Sequence, residues 1–152
     1  MGAVNSGNTA DSDETVGLTI GSRLEYLTLV HGLIQSIARQ HELDEELENA
    51  LIIAVIEAGT NAIQHGNAFA ADKSVSFLFT VGPRDITVRV DDSGNGFDPS
   101  SVANPTDDSH LLVPHGRGLY LMRSLMDEVT FDHHGRNGTS VVLKKARLTE
   151  AG

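Results

Sequence analysis

The sequence predicts an α+β domain, with a mostly antiparallel, mixed sheet forming one layer and helices covering one of its faces as the other. Three observations lead there. Two stretches carry apolar residues stepped by three and four, the helical period, and a third reads as a longer, largely apolar helix. Five short stretches read as strands, and four of them pair off as hairpins across tight turns. One span, 93 to 115, has no periodicity and holds three of the four prolines.

The elements follow in chain order. Residues 1–15 are Gly, Asn, Ser, Thr, Asp and Glu with almost nothing apolar, and are expected to be a disordered leader to a single domain over 16–148. Val16 to Ile20 reads as a strand. Leu24, Leu27, Val30, Ile34 and Ile37 then mark an amphipathic helix over 22–40, with Ser22 as its N-cap and Glu25 as the capping-box partner. A second helix runs from Leu43-Asp44 to about His65, where Gly66 stops it. Val75, Phe77, Phe79 and Val81 alternate with polar residues, and so do Ile86, Val88 and Val90. The turn Gly82-Pro83-Arg84-Asp85 joins these two strands as a hairpin. The aperiodic span 93–115 is long for a compact domain and reads as a functional lid. A helix over 118–126 follows. A second hairpin, Val129 to His133 with Ser140 to Lys144, closes the chain.

Composition narrows the function. A chain of 152 residues buries about 70% of its unfolded surface and needs no disulfide or metal to hold a core. It has no Cys, which removes disulfides, thiolate zinc sites and cysteine nucleophiles. Eleven Lys and Arg against 21 Asp and Glu give a formal charge of −10, the wrong sign for binding nucleic acid by phosphate neutralisation. The chain lacks a long apolar run and an export-like amino terminus, so the expectation is a cytoplasmic protein without membrane contact.

Three places depart from plain core chemistry. In the second helix, Glu57, Thr60 and Asn61 share one face of an otherwise apolar or small segment, and Gln64 and His65 extend it. This is either a polar edge emerging into solvent or a general base and a metal ligand lining a cavity. The second place is Asp91-Asp92-Ser93-Gly94-Asn95-Gly96. Asp92 is in phase with Ile86, Val88 and Val90, so it points to the core side, and Asp91 points away. Gly94 and Gly96 either make an ordinary turn or let a planar ligand approach closely. The third is His115-Gly116-Arg117-Gly118, where glycines at a helix start leave N–H groups for an anion, or simply begin a helix.

Taken together, Glu57-x-x-x-Asn61, Asp92-x-Gly94-x-Gly96, a long loop and Gly116-x-Gly118-Leu119 resemble the Bergerat ATP-binding fold. DNA gyrase, heat-shock-90 chaperones, histidine kinases and MutL share that fold. Within it the wording Glu57-Ala58-Gly59-Thr60-Asn61-Ala62-Ile63-Gln64-His65-Gly66-Asn67 and Gly116-Arg117-Gly118-Leu119-Tyr120-Leu121-Met122 is most similar to the bacterial anti-sigma-factor serine/threonine kinases. Gly138-Thr139-Ser140 resembles the family's last glycine-threonine element. The likeness covers about residues 16 to 146.

The resemblance implies a set of roles. Asp92 would accept a hydrogen bond from the adenine amino group, and Thr139 would sit beside the adenine. Asn61 would hold Mg²⁺ against the phosphates of ATP. Gly94, Gly96, Gly116, Gly118 and Leu119 would shape the loop and helix start that close on the nucleotide. Glu57 would be the catalytic base toward a hydroxyl; typical histidine kinases have Asn in its place. The sequence given ends at Gly152, so a transducer domain is not expected and the expected nucleophile is a protein serine rather than water. Some family kinases carry a basic residue just before the second glycine pair. Pro114-His115 stands there, leaving Arg117 as the substitute for stabilising the γ-phosphate.

The resemblance further implies an anti-sigma factor that phosphorylates an anti-anti-sigma protein, binds a sigma factor, and forms a homodimer through the first strand and helix. The alternative is a nucleotide-gated protein-binding switch with little or no phosphotransfer. A hydrolase is a third reading. Of the seven histidines, His133 and His134 are adjacent on a strand and point to opposite faces, unsuited to sharing one ion. His65 lies beside the Glu57–Asn61 face, as a phosphate contact or as a cap.

Overall fold

The computed structural model describes residues 13–94, 115–134 and 138–147. Its elements follow in chain order: β1 (Glu14–Gly21), a short 3₁₀ turn (Leu24–Tyr26), α1 (Leu27–Gln40) and α2 (Glu45–Asn61), then a π-turn (Ala62–Gly66). After these come β2 (Ser74–Val81), β3 (Asp85–Asp92), α3 (His115–Leu125), β4 (Glu128–His133) and β5 (Thr139–Ala146). The predicted lid lies outside the described residues apart from its two ends, and most of the predicted leader also lies outside them.

The strands form one sheet in the order β1-β2-β3-β5-β4, and every pairing in it is antiparallel. In β2 and β3 alternate residues are buried: Val75, Phe77, Phe79 and Val81 in one, Ile86, Val88, Val90 and Asp92 in the other. These face the helices. Leu51, Ala54, Val55 and Ala58 of α2 complete the core, joined by Val30 and Ile34 of α1 and Met122 of α3. Gly59 lets α2 sit low on the sheet. A Cβ there would lie 2.8 Å from Leu27 Cδ2 and 3.0 Å from Phe77 Cζ. Among the described residues no helix is long and apolar enough to cross a membrane.

The structure corrects three local expectations. Ser22 is not a helix N-cap. Its hydroxyl donates to the Lys73 carbonyl at 2.8 Å, and the chain makes the 3₁₀ turn before α1 starts at Leu27. Leu24 consequently drops off the buried stripe and is 40% exposed. The capping-box partner Glu25 instead pairs with Arg23 at 2.7 Å. The second helix does have a real cap: the Asp44 carboxylate accepts from Leu47 N at 2.8 Å.

Near its end that helix widens rather than stopping cleanly. Asn67 N donates to Ala62 O at 2.8 Å, an i to i+5 bond that inserts an extra residue into the last turn. Asn67 itself is 1% exposed, and its side-chain amide donates to Ser22 Oγ and to Ser74 O, each at 2.9 Å. This bridge ties the ends of β1 and α2 to the start of β2. It seats Gly66 against the end of β3.

Phe77 is 1% exposed and packs at the junction of α1, α2 and the sheet. Replacing it with Ala is expected to cost about 3–5 kcal/mol. Urea unfolding should show a lower midpoint with an unchanged slope; an unchanged midpoint would contradict this packing.

Candidate functional site

β3 runs two residues past its predicted end, and that extension puts Asp92 in register with Val75 on the helix-facing side. The residue is 9% exposed. One oxygen, Oδ1, accepts from Gly94 N and from Thr139 N, both at 3.2 Å. Burial pushes the Asp92 carboxyl up from its ordinary pKa. The two N–H donors and nearby His133 oppose that shift, and Asp91 adds to it. Asp91 has a separate life on the outer face, where it pairs with Arg89 at 3.0 Å and accepts from the Ser140 hydroxyl.

Three glycines let the chain close around Asp92. A Cβ on Gly66 would overlap the Asp92 carboxyl, and one on Gly94 would overlap the Gly66 carbonyl oxygen. Gly138 has φ +100°, a left-handed conformation suited to glycine, and a Cβ there would overlap the Asp92 carbonyl oxygen. Such close backbone approach leaves no room for side chains behind the carboxylate. Its free side faces a cavity.

That cavity holds about 310 Å³ and is lined mostly by apolar groups. Asp92 and Thr139 line it side by side, and Asn61 and His65 reach it from α2 and the π-turn. Val90, Leu119, Met122 and Val141 form apolar walls, and Phe131 and His133 of β4 close the edge. His65 has its pKa lowered by burial. Thr139 Oγ1 lies 3.1 Å from His133 Nδ1, while His134 Nε2 lies 3.0 Å from Ser140 Oγ on the other face, as adjacent strand residues should. A mostly apolar cavity with one buried carboxylate in its wall is suited to an apolar or aromatic group that offers a hydrogen-bond donor.

Glu57 and Asn61 lie one turn apart on α2, both partly exposed, and α3 starts against them. A Cβ on Gly118 would lie 2.8 Å from Glu57 Oε2 and 3.5 Å from Asn61 Nδ2. The choice between polar edge and cavity lining is thereby decided for Asn61, which lines the cavity, with Glu57 beside it at the start of α3. Thr60 does not join them, because its hydroxyl donates back to Ile56 O at 2.8 Å.

Of the residues singled out from sequence, Glu57, Asn61, Asp92, Gly94, Gly118, Leu119 and Thr139 lie within the described region. Asn61, Asp92, Leu119 and Thr139 line this cavity, Gly94 packs against Gly66 behind it, and Glu57 and Gly118 meet beside Asn61. Gly116 and Arg117 fall in the first turn of α3, where side chains lie outside the described residues; Gly96 lies outside them altogether. Sequence reasoning missed Gly66 as a wall of the site, reading it only as a helix stop. It also missed Phe131 and His133, which carry no local signal beyond strand alternation.

A family model described as histidine kinase-like ATPase domain matches residues 20–145. The serine-protein kinase RsbW of Bacillus subtilis is 36% identical over 147 residues, covering 91% of this chain and 87% of the relative. The anti-sigma F factor of Clostridium novyi is 33% identical over 108 residues, covering 68% of this chain and 76% of that protein. Among solved structures, the RsbU and RsbW domains of a Mycobacterium tuberculosis protein superpose with a TM-score of 0.66 at 17% identity. That match covers 88% of this chain and 32% of that one, a likeness of fold.

The buried carboxylate has a consequence for stability. A carboxyl whose folded pKa lies above its unfolded value holds its proton more tightly when folded. Folding stability therefore falls as pH rises through the unfolded and then the folded value, and stays lower above both. Asp92→Asn removes that ionisation. The variant is expected to melt above wild type at about pH 8, with the difference closing toward about pH 4. Thermal melts across that range check this; a variant that melts below wild type at the higher pH would contradict it.

Proposed function

This chain belongs to the histidine kinase-like ATPase family, and from that premise we propose that it is an ATP- and Mg²⁺-dependent serine/threonine kinase acting as an anti-sigma factor. It phosphorylates an anti-anti-sigma protein and binds a sigma factor. The observation that carries the reading is the pairing of two carboxylates in unlike surroundings. Asp92 is buried in the wall of a mostly apolar cavity, and Glu57 is partly exposed beside the start of α3.

The assignment of roles follows from those surroundings. Asp92 accepts from the exocyclic amino group of adenine. Guanine presents a carbonyl oxygen there, which a carboxylate repels, so the slot selects ATP over GTP. The apolar walls from Val90, Leu119, Met122 and Val141 cover the ring faces. With the base at Asp92, the phosphates run toward Asn61 and the start of α3, because a helix N-terminus favours anions.

Asn61 offers one neutral oxygen on the cavity wall, a hard donor suited to Mg²⁺, which takes the rest of its shell from phosphate and water. When bound, the ion neutralises charge on the phosphates. Glu57 accepts the proton of the serine hydroxyl as that oxygen bonds to the γ-phosphorus. The bond from the γ-phosphorus to the bridging oxygen breaks, and ADP leaves. Arg117 supplies positive charge to the γ-phosphate from the first turn of α3. Two copies of the chain associate through β1 and α1.

Glu57→Gln keeps the shape of the site and removes the base. It is expected to lower transfer from γ-labelled ATP to a purified anti-anti-sigma protein by about 10²–10⁴-fold. ATP affinity, read by calorimetry, should stay within about twofold, because Glu57 is assigned no part in the bound ground state. Transfer that survives the substitution would remove Glu57 as the base. Wild type that binds ATP but transfers nothing would leave the nucleotide-gated binding switch.

A further inference from the structure

His133 lines the cavity, and its Nε2 atom is buried with no hydrogen-bond partner among the described residues. The other ring nitrogen is held. His133 pairs in register with Thr139 across β4 and β5, and its Nδ1 lies 3.1 Å from Thr139 Oγ1. The backbone N–H of Thr139 in turn donates to Asp92 Oδ1 at 3.2 Å. Asp92, Thr139 and His133 therefore stand in one row across β3, β5 and β4, on the sheet face that carries the buried Val141 and Leu143.

This row constrains two protons. A neutral imidazole carries a single N–H, on one nitrogen or the other. With the proton on Nε2, a buried donor would face no acceptor, and Thr139 would give its own proton to Nδ1. With the proton on Nδ1, the ring donates to Thr139 Oγ1 and only a lone pair is left unpaired. Buried N–H groups without an acceptor are rarer than under-satisfied acceptors, which favours the proton on Nδ1. The Thr139 oxygen then accepts from His133, and its own proton is turned away from β4, toward the cavity that both residues line.

We propose that His133 is a positioning residue that fixes the Thr139 hydroxyl as a donor, so that the site takes a purine only where the ring nitrogen beside its amino group carries a lone pair. The proposal rests on the ATP reading above and adds a second point of recognition to it. Asp92 reads the amino group. Thr139 adjoins Asp92 and reaches the neighbouring atom on the same edge of the base, N1. Adenine offers a lone pair there. Guanine offers an N–H, which would meet the hydroxyl proton head on. A threonine by itself would discriminate little, because a free hydroxyl turns to donate or to accept. The N–H of His133 removes that freedom.

Two measurements test this. The first needs no nucleotide. Long-range ¹H–¹⁵N spectra of the free protein at about pH 8, above the ordinary histidine range, read which nitrogen of each imidazole is protonated. The signal lost in His133→Phe belongs to His133. A proton on Nδ1 is expected, and a proton on Nε2 would overturn the proposal. The second is calorimetry with ATP and with isoguanosine triphosphate, both with Mg²⁺. Isoguanosine keeps the amino group of adenine and carries N–H in place of the N1 lone pair. Its added carbonyl is common to every variant, so a change in the ratio of the two affinities reads the hydroxyl.

His133→Phe frees the hydroxyl to accept. It is expected to cut the wild-type preference for ATP by about tenfold, mainly by tighter binding of isoguanosine triphosphate. His133→Asn, whose amide can place an N–H near the position of Nδ1, should keep the preference. A preference unchanged in His133→Phe, or both nucleotides weakened alike, would leave His133 a packing role and overturn the proposal. If His133→Phe does not fold, the wild-type spectrum decides, with the His133 signal identified through His133→Asn. Wild type that binds ATP but transfers no phosphate would count against the kinase reading alone. Wild type that binds neither nucleotide would remove the ATP reading, and this inference would fall with it.

Discussion

The site depends on one buried carboxylate kept on the wrong side of a sheet. Asp92 occupies a position in β3 that the alternation of Ile86, Val88 and Val90 reserves for an apolar residue. An unpaired carboxylate there would be costly. The fold meets part of the cost with two backbone donors, Gly94 N and Thr139 N, brought in from either side. Bringing them in needs glycine at Gly66, Gly94 and Gly138, since each lies too close to Asp92 or to the neighbouring backbone for a side chain. The π-turn after α2 and the bridge from Asn67 to Ser22 and Ser74 seat Gly66 at that point. Elements distant in sequence thus converge on one side chain, and the raised pKa of Asp92 reports that the compensation is partial.

The two carboxylates of the site divide labour through their surroundings. Burial and directed N–H groups leave Asp92 a single open face, suited to recognising one donor on a flat ligand. Glu57 keeps partial access to water and lies against a glycine where α3 begins, so a reacting group has room to approach. Gly118 serves that arrangement by omission: any side chain there would press on Glu57.

Much of this was legible in the sequence. The strand phase alone predicted that Asp92, not Asp91, faces the core, and the structure puts Asp91 on the opposite face with Arg89. The stepping of apolar residues located α1, the apolar run ended by Gly66 located α2, and the spacing of Glu57 and Asn61 placed them on one face. What periodicity missed were features decided by tertiary contact. Ser22 has the chemistry of a cap, but the Lys73 carbonyl and Asn67 claim its hydroxyl. Gly66 reads as an ordinary helix stop because the i to i+5 bond that defines the π-turn has no residue signature of its own. Phe131 and His133 look like any edge-strand residues until β4 pairs with β5 and brings them over the slot.

The central claim is that Asp92 recognises the base of ATP, and titration calorimetry tests it most directly. ATP with Mg²⁺ is titrated into wild type and into Asp92→Asn, with GTP as the control. The account predicts that wild type binds ATP and not GTP, and that the substitution removes ATP binding although the variant is folded and stable. ATP binding that survives in Asp92→Asn, or GTP binding as tight as ATP, would contradict it.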